Sequence, residues 1–221
     1  MASKSKEPEH AGLYLVSPPL ADAVSFALQL EAALDAGDVA CVLADVANAD
    51  PAGAKKIART LAPIAQERGA ALLITGDTRL VARSGADGAH LKGAGDAFIA
   101  SIAEAAGDLK PDYIIGVSGL RTRHDCMSAG ELEVDYILFD EPAKDGWIPP
   151  LDERLQRVSW WSEIFNLPCV AFAARLDEVE ALAKAGADFV ALGDAVWSDP
   201  RGPASAVRDA AAALRKVVRP A

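Results

Sequence analysis

Arg121, Arg123 and His124 fall within a single four-residue stretch, just behind the apolar run Tyr113 to Val117 and close to Ser118. Three basic groups at the end of a buried strand form a cationic patch able to hold an anion, with the Ser118 hydroxyl beside it. The same residues equally suit the solvated first turn of a helix. Arg175 follows another apolar run, Cys169 to Phe172, and stands where a helix begins. A guanidinium and a helix start both favour an anion. His90 lies inside a strand-like run, where a histidine is either a packed core residue or a ligand contact. The chain has no zinc-type spacing, no Walker loop and no nucleophile elbow.

The elements that must position these groups are legible from a repeated junction. Gly85-Ala86-Asp87-Gly88-Ala89-His90-Leu91 is echoed by Gly186-Ala187-Asp188-Phe189-Val190-Ala191-Leu192. In each copy a helix-like segment stops at glycine and runs directly into an apolar strand, which is an αβ unit. One copy alone reads as a helix C-cap and turn; two in register read as a chain of repeated βα units. Strands are expected at Leu13 to Val16, Val39 to Leu43, Ala71 to Thr75, Gly88 to Leu91, Tyr113 to Val117, Tyr136 to Phe139, Cys169 to Phe172 and Phe189 to Leu192. Most are continuously apolar, as strands buried on both faces are. Helical patterns fill the gaps: Ala21 to Ala36, Pro51 to Arg68, Thr78 to Ser84, Asp96 to Ala106, Arg121 to Gly130, Leu151 to Phe165, Asp177 to Ala185 and Pro203 to Val218. Eight such units predict an α/β fold, a single closed (β/α)8 TIM barrel. An open doubly wound sheet is the competing topology. It calls for a glycine-rich first loop, and here that loop is Ser17-Pro18-Pro19.

Composition limits the partners. A chain of 221 residues suffices for one sizeable core, with residues 1–11 expected as a disordered tail and 12–221 as the barrel. The formal net charge of −10 argues against nucleic acid or an anionic membrane as partner. No apolar run is long enough to span a bilayer, and the charged start, Met1 to Glu9, does not read as a secretory signal. Cys41, Cys126 and Cys169 are widely spaced and read as buried reduced thiols of a cytoplasmic protein. Trp160-Trp161 with Ile164-Phe165 exceeds the needs of one helix stripe. One Trp is expected on the barrel and the other against a partner subunit, as in a homo-oligomer.

Leu13-Tyr14-Leu15-Val16, Gly85 to Leu91, Ile115-Gly116-Val117-Ser118 and Gly186-Ala187-Asp188, in this order and spacing, resemble the thiamine phosphate synthases and their thiazole tautomerase relatives. The resemblance runs from about Gly12 to Val218. It implies a small (β/α)8 barrel that joins a hydroxymethylpyrimidine pyrophosphate to a thiazole phosphate, with Mg²⁺ and basic groups neutralising the departing pyrophosphate. The implied ligand is a small phosphorylated heterocycle, bound at the C-terminal ends of the strands. Ser118 matches the family's Val-Ser position, His90 matches a common family residue, and Lys144 matches the loop lysine after the sixth strand. Ser118 and Lys144 are the implied catalytic residues. Thr75, His90, Arg121, Arg175 and Asp194 are the implied ligand contacts.

The chain departs from that pattern at several places. The family's Gln-Leu-Arg-x-Lys on the second strand reads Val42-Leu43-Ala44-Asp45-Val46. Its Asn-Asp after the third strand reads Thr75-Gly76, with Asp77 one place later, and its second metal carboxylate falls at Gly95, with Asp96 next. Asp77 and Asp96 are therefore either Mg²⁺ ligands or caps of the helices that follow. The family's Gly-Gly after the seventh strand becomes Ala173-Ala174, and its Ser after the eighth becomes Asp194. Arg175 and Asp194, on neighbouring strand ends, are expected to pair and close the phosphate cup. Two readings of function follow: a synthase-like protein with an altered active site, or a catalytically inactive paralogue that binds a small molecule or a protein.

Overall fold

The computed structural model describes residues 10–143 and 145–218. Strands and helices alternate in the order β1 (Gly12–Val16), α1 (Val24–Leu34), β2 (Val39–Ala44), α2 (Pro51–Gln66), β3 (Ala71–Thr75), α3 (Val81–Ser84) and β4 (Gly88–Lys92). Next come α4 (Asp96–Leu109), β5 (Ile114–Ser118), α5 (Arg123–Gly130), β6 (Tyr136–Phe139) and α6 (Leu151–Ile164). The chain then runs through β7 (Cys169–Ala173), α7 (Val179–Lys184), β8 (Phe189–Leu192), α8 (Asp194–Trp197) and α9 (Pro203–Leu214). The strands close in chain order as a parallel barrel, with β8 returning to β1. This is the expected (β/α)8 barrel. The expected residues 1–9 of the tail lie outside the described residues; His10 and Ala11 are described and lead into β1, with Ala11 buried.

The boundaries move for local reasons. α1 starts three residues later than its apolar pattern suggests, because the Asp22 carboxylate accepts from Val24 N and Ser25 N and so ends the non-helical segment. α2 starts where expected: Asp50 caps it through Gly53 N, and Pro51 fills the first turn. The four-residue α8 has no period long enough to announce itself in sequence.

Side chains alternate between two cores. Tyr14, Cys41, Leu43, Leu73, Tyr136, Leu138, Val170, Phe172 and Ala191 fill the inside of the barrel. Their strand neighbours, such as Leu15, Val42, Ile74, Ile115, Ile137 and Val190, face the helices. The inside is tight, and glycines make room for rings. Gly116 on β5 stands opposite Tyr136 on β6, and a Cβ there would come within 2.0 Å of Tyr136 Cζ. Gly12 stands opposite Phe189, and a Cβ would meet that ring at 2.5 Å.

The floor of the barrel explains the repeated Gly-Ala-Asp. Gly85 and Gly186 hold φ of 82° and 102°, the left-handed turn that ends each helix. The aspartates then reach sideways to the previous strand. Asp87 accepts from Leu72 N at 2.7 Å, and Asp188 accepts from Cys169 N at 2.8 Å. Asp135, just before β6, accepts from Ile115 N at 2.6 Å in the same way. Cys41, Cys126 and Cys169 are buried and none is in a disulfide, as expected. No helix among the described residues is long and apolar enough to cross a membrane.

Two glycines should respond oppositely to the same change. Gly116→Ala forces Tyr136 out of its place and should cost about 1–3 kcal/mol, the usual penalty for overpacking. Gly107→Ala, in α4 with nothing within 4 Å of an added Cβ, should stabilise by about 0.5–1 kcal/mol. Thermal and urea denaturation of the two variants decide this; a melting temperature for Gly116→Ala at or above wild type would contradict the packing described.

Candidate functional site at the C-terminal rim

Barrels of this type carry their sites on the loops after the strands. Here that rim is polar, and most of its groups are held by one another. On the β2–β3 side, Ser17 Oγ accepts from Asp45 N at 2.8 Å, Thr75 Oγ1 accepts from Val46 N at 2.9 Å, and Thr75 donates to Asp45 Oδ1 at 3.1 Å. Thr75 is thus a brace for the β2 loop. After β3, the Asp77 carboxylate takes Arg79 N, Nε and Nη2 at 2.8–3.0 Å. It caps the short turn Thr78–Leu80 and has both oxygens on one arginine. Asp96 is exposed in the first turn of α4. Asp77 is paired with Arg79; among the described residues no group of three or more His, Cys, Asp or Glu is arranged to hold a metal ion.

On the β4–β6 side, Ser118 and His90 are brought into direct contact. His90 Nε2 lies 2.8 Å from Ser118 Oγ, and His90 Nδ1 lies 2.8 Å from Tyr136 Oη. Tyr136 Oη is also 2.8 Å from Tyr14 Oη. All four residues are buried. Burial, with a smaller push from Lys92, takes the His90 imidazole down to about 3, so it is neutral near pH 7. His90 is therefore a core histidine with a polar connection to the rim.

Beyond β6 the backbone is strained. Asp140 has φ of 64°, the one non-glycine residue in the left-handed region among those described. Its side chain is 3% exposed and pairs with Arg157 at 2.8 Å. Burial raises its carboxyl above the usual range although Arg157 and Arg154 oppose this. Glu141 pairs with Lys92, whose Nζ also donates to Pro142 O. Among the described residues, Asp140 Oδ2 and Glu141 Oε2 are buried without a hydrogen-bond partner. Lys144, in this loop, lies outside the described residues.

The loop after β7 is organised from below by a buried ion pair. Arg154 on α6 meets Glu178 through two contacts of 2.9 and 3.0 Å and also donates to Pro149 O and Phe172 O. Glu178 in turn accepts from Ala174 N at 2.8 Å. Burial pushes the Glu178 carboxyl up, but the hydrogen bonds from Arg154 and Ala174 N and the Arg154 charge outweigh it and leave it below the usual range. Arg175 does not meet Asp194. Its guanidinium makes a bidentate pair with Asp177 at 2.8–2.9 Å, exposed on both sides. Asp194 is exposed in the first turn of α8. The expected ion pair across the rim is thus replaced by a local one, two residues along. After β8, Trp197 Nε1 donates to Val16 O at 2.6 Å and its ring packs edge-on against Phe26.

Arg121 and His124 are exposed after β5. Arg123 lies over the Trp160 ring, 4.6 Å from its centroid. Thr122 caps α5 through Asp125 N. The basic cluster is therefore the solvated first turn of a helix and also stands at the rim. Trp161 packs on the barrel, fully buried, as one of the pair was expected to do. Tyr14, Tyr136, Arg154, Glu178 and Asp140 are the rim and interior residues that the sequence reading missed. Their trace was there: Tyr14 interrupts an apolar run, Tyr136 heads one, and Arg154 falls on the buried stripe of α6 with Val158 and Trp161.

The family model described as thiamine monophosphate synthase matches residues 13–196. The chain belongs to this family. Among its relatives, the thiamine-phosphate synthase of Rhodospirillum centenum is 38% identical over 199 residues, which covers 89% of this chain and 94% of that protein. The thiamine-phosphate synthase of Hyphomonas neptunium is 35% identical, covering 89% and 90%. A thiamine phosphate pyrophosphorylase from Pyrococcus furiosus superposes with a TM-score of 0.75 at 20% identity, covering 93% of this chain and 96% of its own, and shares the barrel fold. In this member of the thiamine monophosphate synthase family, then, the β7 loop is braced from within by Glu178.

Removing that brace gives a measurable result. Glu178→Gln leaves the Arg154 guanidinium buried without its anion and should cost about 3–5 kcal/mol. For a domain of this size that is roughly 6–20 °C in melting temperature. Because the Glu178 carboxyl is lowered in the fold, its contribution is complete above the ordinary carboxylate range and is lost as pH falls through the lowered value. The gap between wild type and variant in thermal melts should therefore narrow on acidification, and a gap independent of pH would contradict the charge argument.

Proposed function

We propose that the chain is a thiamine phosphate synthase-like protein that binds a phosphorylated thiazole or pyrimidine at the C-terminal rim with an altered anion site. The observation that carries this reading is the 38% identity with a thiamine-phosphate synthase along nearly the whole of both chains. The alterations rest on the rim. Ala44 and Val46 stand where the resemblance implies cations. The Ala174 N–H, a backbone donor of the kind that would meet a phosphate, already donates to Glu178. Arg175 is engaged by Asp177, and the acid Asp194 heads the segment after β8. Asp77 and Asp96 are the carboxylates that would hold Mg²⁺, which would supply charge neutralisation for a departing pyrophosphate. Ser118 is the hydrogen-bonding group at the ligand, Arg121 the exposed cation for its anionic end, and Lys144 the loop cation.

The same Glu178–Ala174 contact also supports the second reading, a catalytically inactive paralogue that binds without turnover. The two separate in one assay. Purified protein is given hydroxymethylpyrimidine pyrophosphate, thiazole phosphate and Mg²⁺, pyrophosphate release is followed, and each precursor is tested by thermal shift. Loss of one charge-stabilising donor typically costs about 10²–10³ in rate. The altered-site reading expects binding with turnover reduced by at least that factor relative to the Rhodospirillum centenum protein. Binding with no turnover selects the paralogue, and full turnover refutes the altered site. Asp177→Asn should free Arg175 and raise affinity for inorganic phosphate by no more than about fivefold, since an exposed pair is worth at most about 1 kcal/mol.

A further inference from the structure

The charge of this chain is unevenly placed. Residues 51–85 carry six cations and two acids, Glu67 and Asp77, in a chain whose net charge is −10. Two of the cations are paired, Arg68 with Asp35 and Arg79 with Asp77. The other four, Lys55, Lys56, Arg59 and Arg83, have no ion-pair partner among the described residues. The two lysines stand three and four residues before Arg59 on α2, the spacing at which like charges on a helix oppose one another.

Arg59 and Arg83 are exposed and line one cleft of about 410 Å³ between α2 and α3, on the outside of the barrel. Arg59, Ala62, Pro63 and Gln66 form one stripe of α2 and make one wall; the segment from Ala82 to Gly85 makes the other. Gln66 closes one end, donating to Gly85 O at 2.9 Å and to Asp87 at 3.1 Å. The Asp87 carboxylate is taken up by Gln66 and Leu72 N and forms no ion pair with either arginine. Between the two guanidinium groups, Ala62, Pro63 and Ala82 carry no polar side-chain atom.

Two planar forks of donors on one cleft suit an anion with several oxygens and more than one charge, which is a phosphate group before a single carboxylate. The volume lies in the range of small-molecule sites, beyond what a bare phosphate fills. The apolar wall between the cations is surface for an organic group. We propose that the α2–α3 cleft is a binding site for a small phosphate ester, with the phosphate between Arg59 and Arg83 and the organic part on Ala62, Pro63 and Ala82. The site is separate from the rim and does not rest on the function proposed above.

The test uses the full chain and phenyl phosphate as probe, with inorganic phosphate beside it, followed by amide NMR and by calorimetric titration. Phenyl phosphate should shift the amides around Gly85 and bind at least about fivefold tighter than inorganic phosphate, the difference being its buried ring. Arg59→Ala and Arg83→Ala should each weaken it by about tenfold, and Ala82→Asp, which places an acid in the cleft, should abolish the shifts. Arg121→Ala should leave the shifts in place, which separates this cleft from the anion contact proposed at the rim. Affinity should fall as salt rises, because the cleft is open to solvent.

Both arginine variants should melt no lower than wild type, since neither side chain has an ion pair to lose. A lower melting temperature in either would show a structural partner and count against the proposal. It is overturned if phenyl phosphate leaves the Gly85 amides unmoved, or if both arginine variants bind it as wild type does. Binding of a single-stranded oligonucleotide with none of phenyl phosphate would make this face a macromolecular surface, and the small-ligand site would fall.

Discussion

Tyr136 lying across Gly116 is the contact on which the rest of this barrel depends. The interior of an eight-stranded barrel is a fixed, nearly full volume, and protein interiors tolerate little empty or overlapping space. A ring as large as tyrosine fits only because the facing residue of the next strand has no side chain. The same contact fixes where the phenol oxygen ends up, within reach of both Tyr14 and His90. Packing in the core and polarity at the rim are thus set by one pair of residues.

The rim is held together largely by its own groups. Its donors and acceptors are mostly engaged within the chain: Thr75 with Asp45, Lys92 with Glu141, Arg157 with Asp140, Arg175 with Asp177, and Ala174 N with Glu178. Internal partners compete with a ligand for the same atoms, and any ligand must offer more than they do. The strain at Asp140, and the Asp140 and Glu141 carboxylate oxygens that have no hydrogen-bond partner among the described residues, mark the place where this internal pairing is least complete.

The strands were legible because each is a short apolar run bounded by turn residues; β3, β6 and β8 begin and end where the pattern places them. The register between strands was not legible. Nothing in Ile-Gly-Val-Ser says that its glycine faces Tyr136, because that depends on the stagger with which the barrel closes. The partner of Arg175 was misjudged for a related reason. Asp194 lies across the rim, whereas Asp177 is two residues away, and a contact inside one turn requires far less ordering of the chain than one between loops. Ser118 was found through its motif, but its connection to His90 joins two separate strands and became visible only in the folded chain.

The three aspartates on the floor of the barrel have a consequence for how it is divided. Asp87 ties β4 to β3, Asp135 ties β6 to β5, and Asp188 ties β8 to β7, always within one even–odd pair. Three of the four strand pairs, each with its helix, therefore carry their own fastening, made from residues inside that pair. The ties span 15, 20 and 19 residues of sequence, so each is local to its own βαβ segment and leaves the seams of the barrel between such segments.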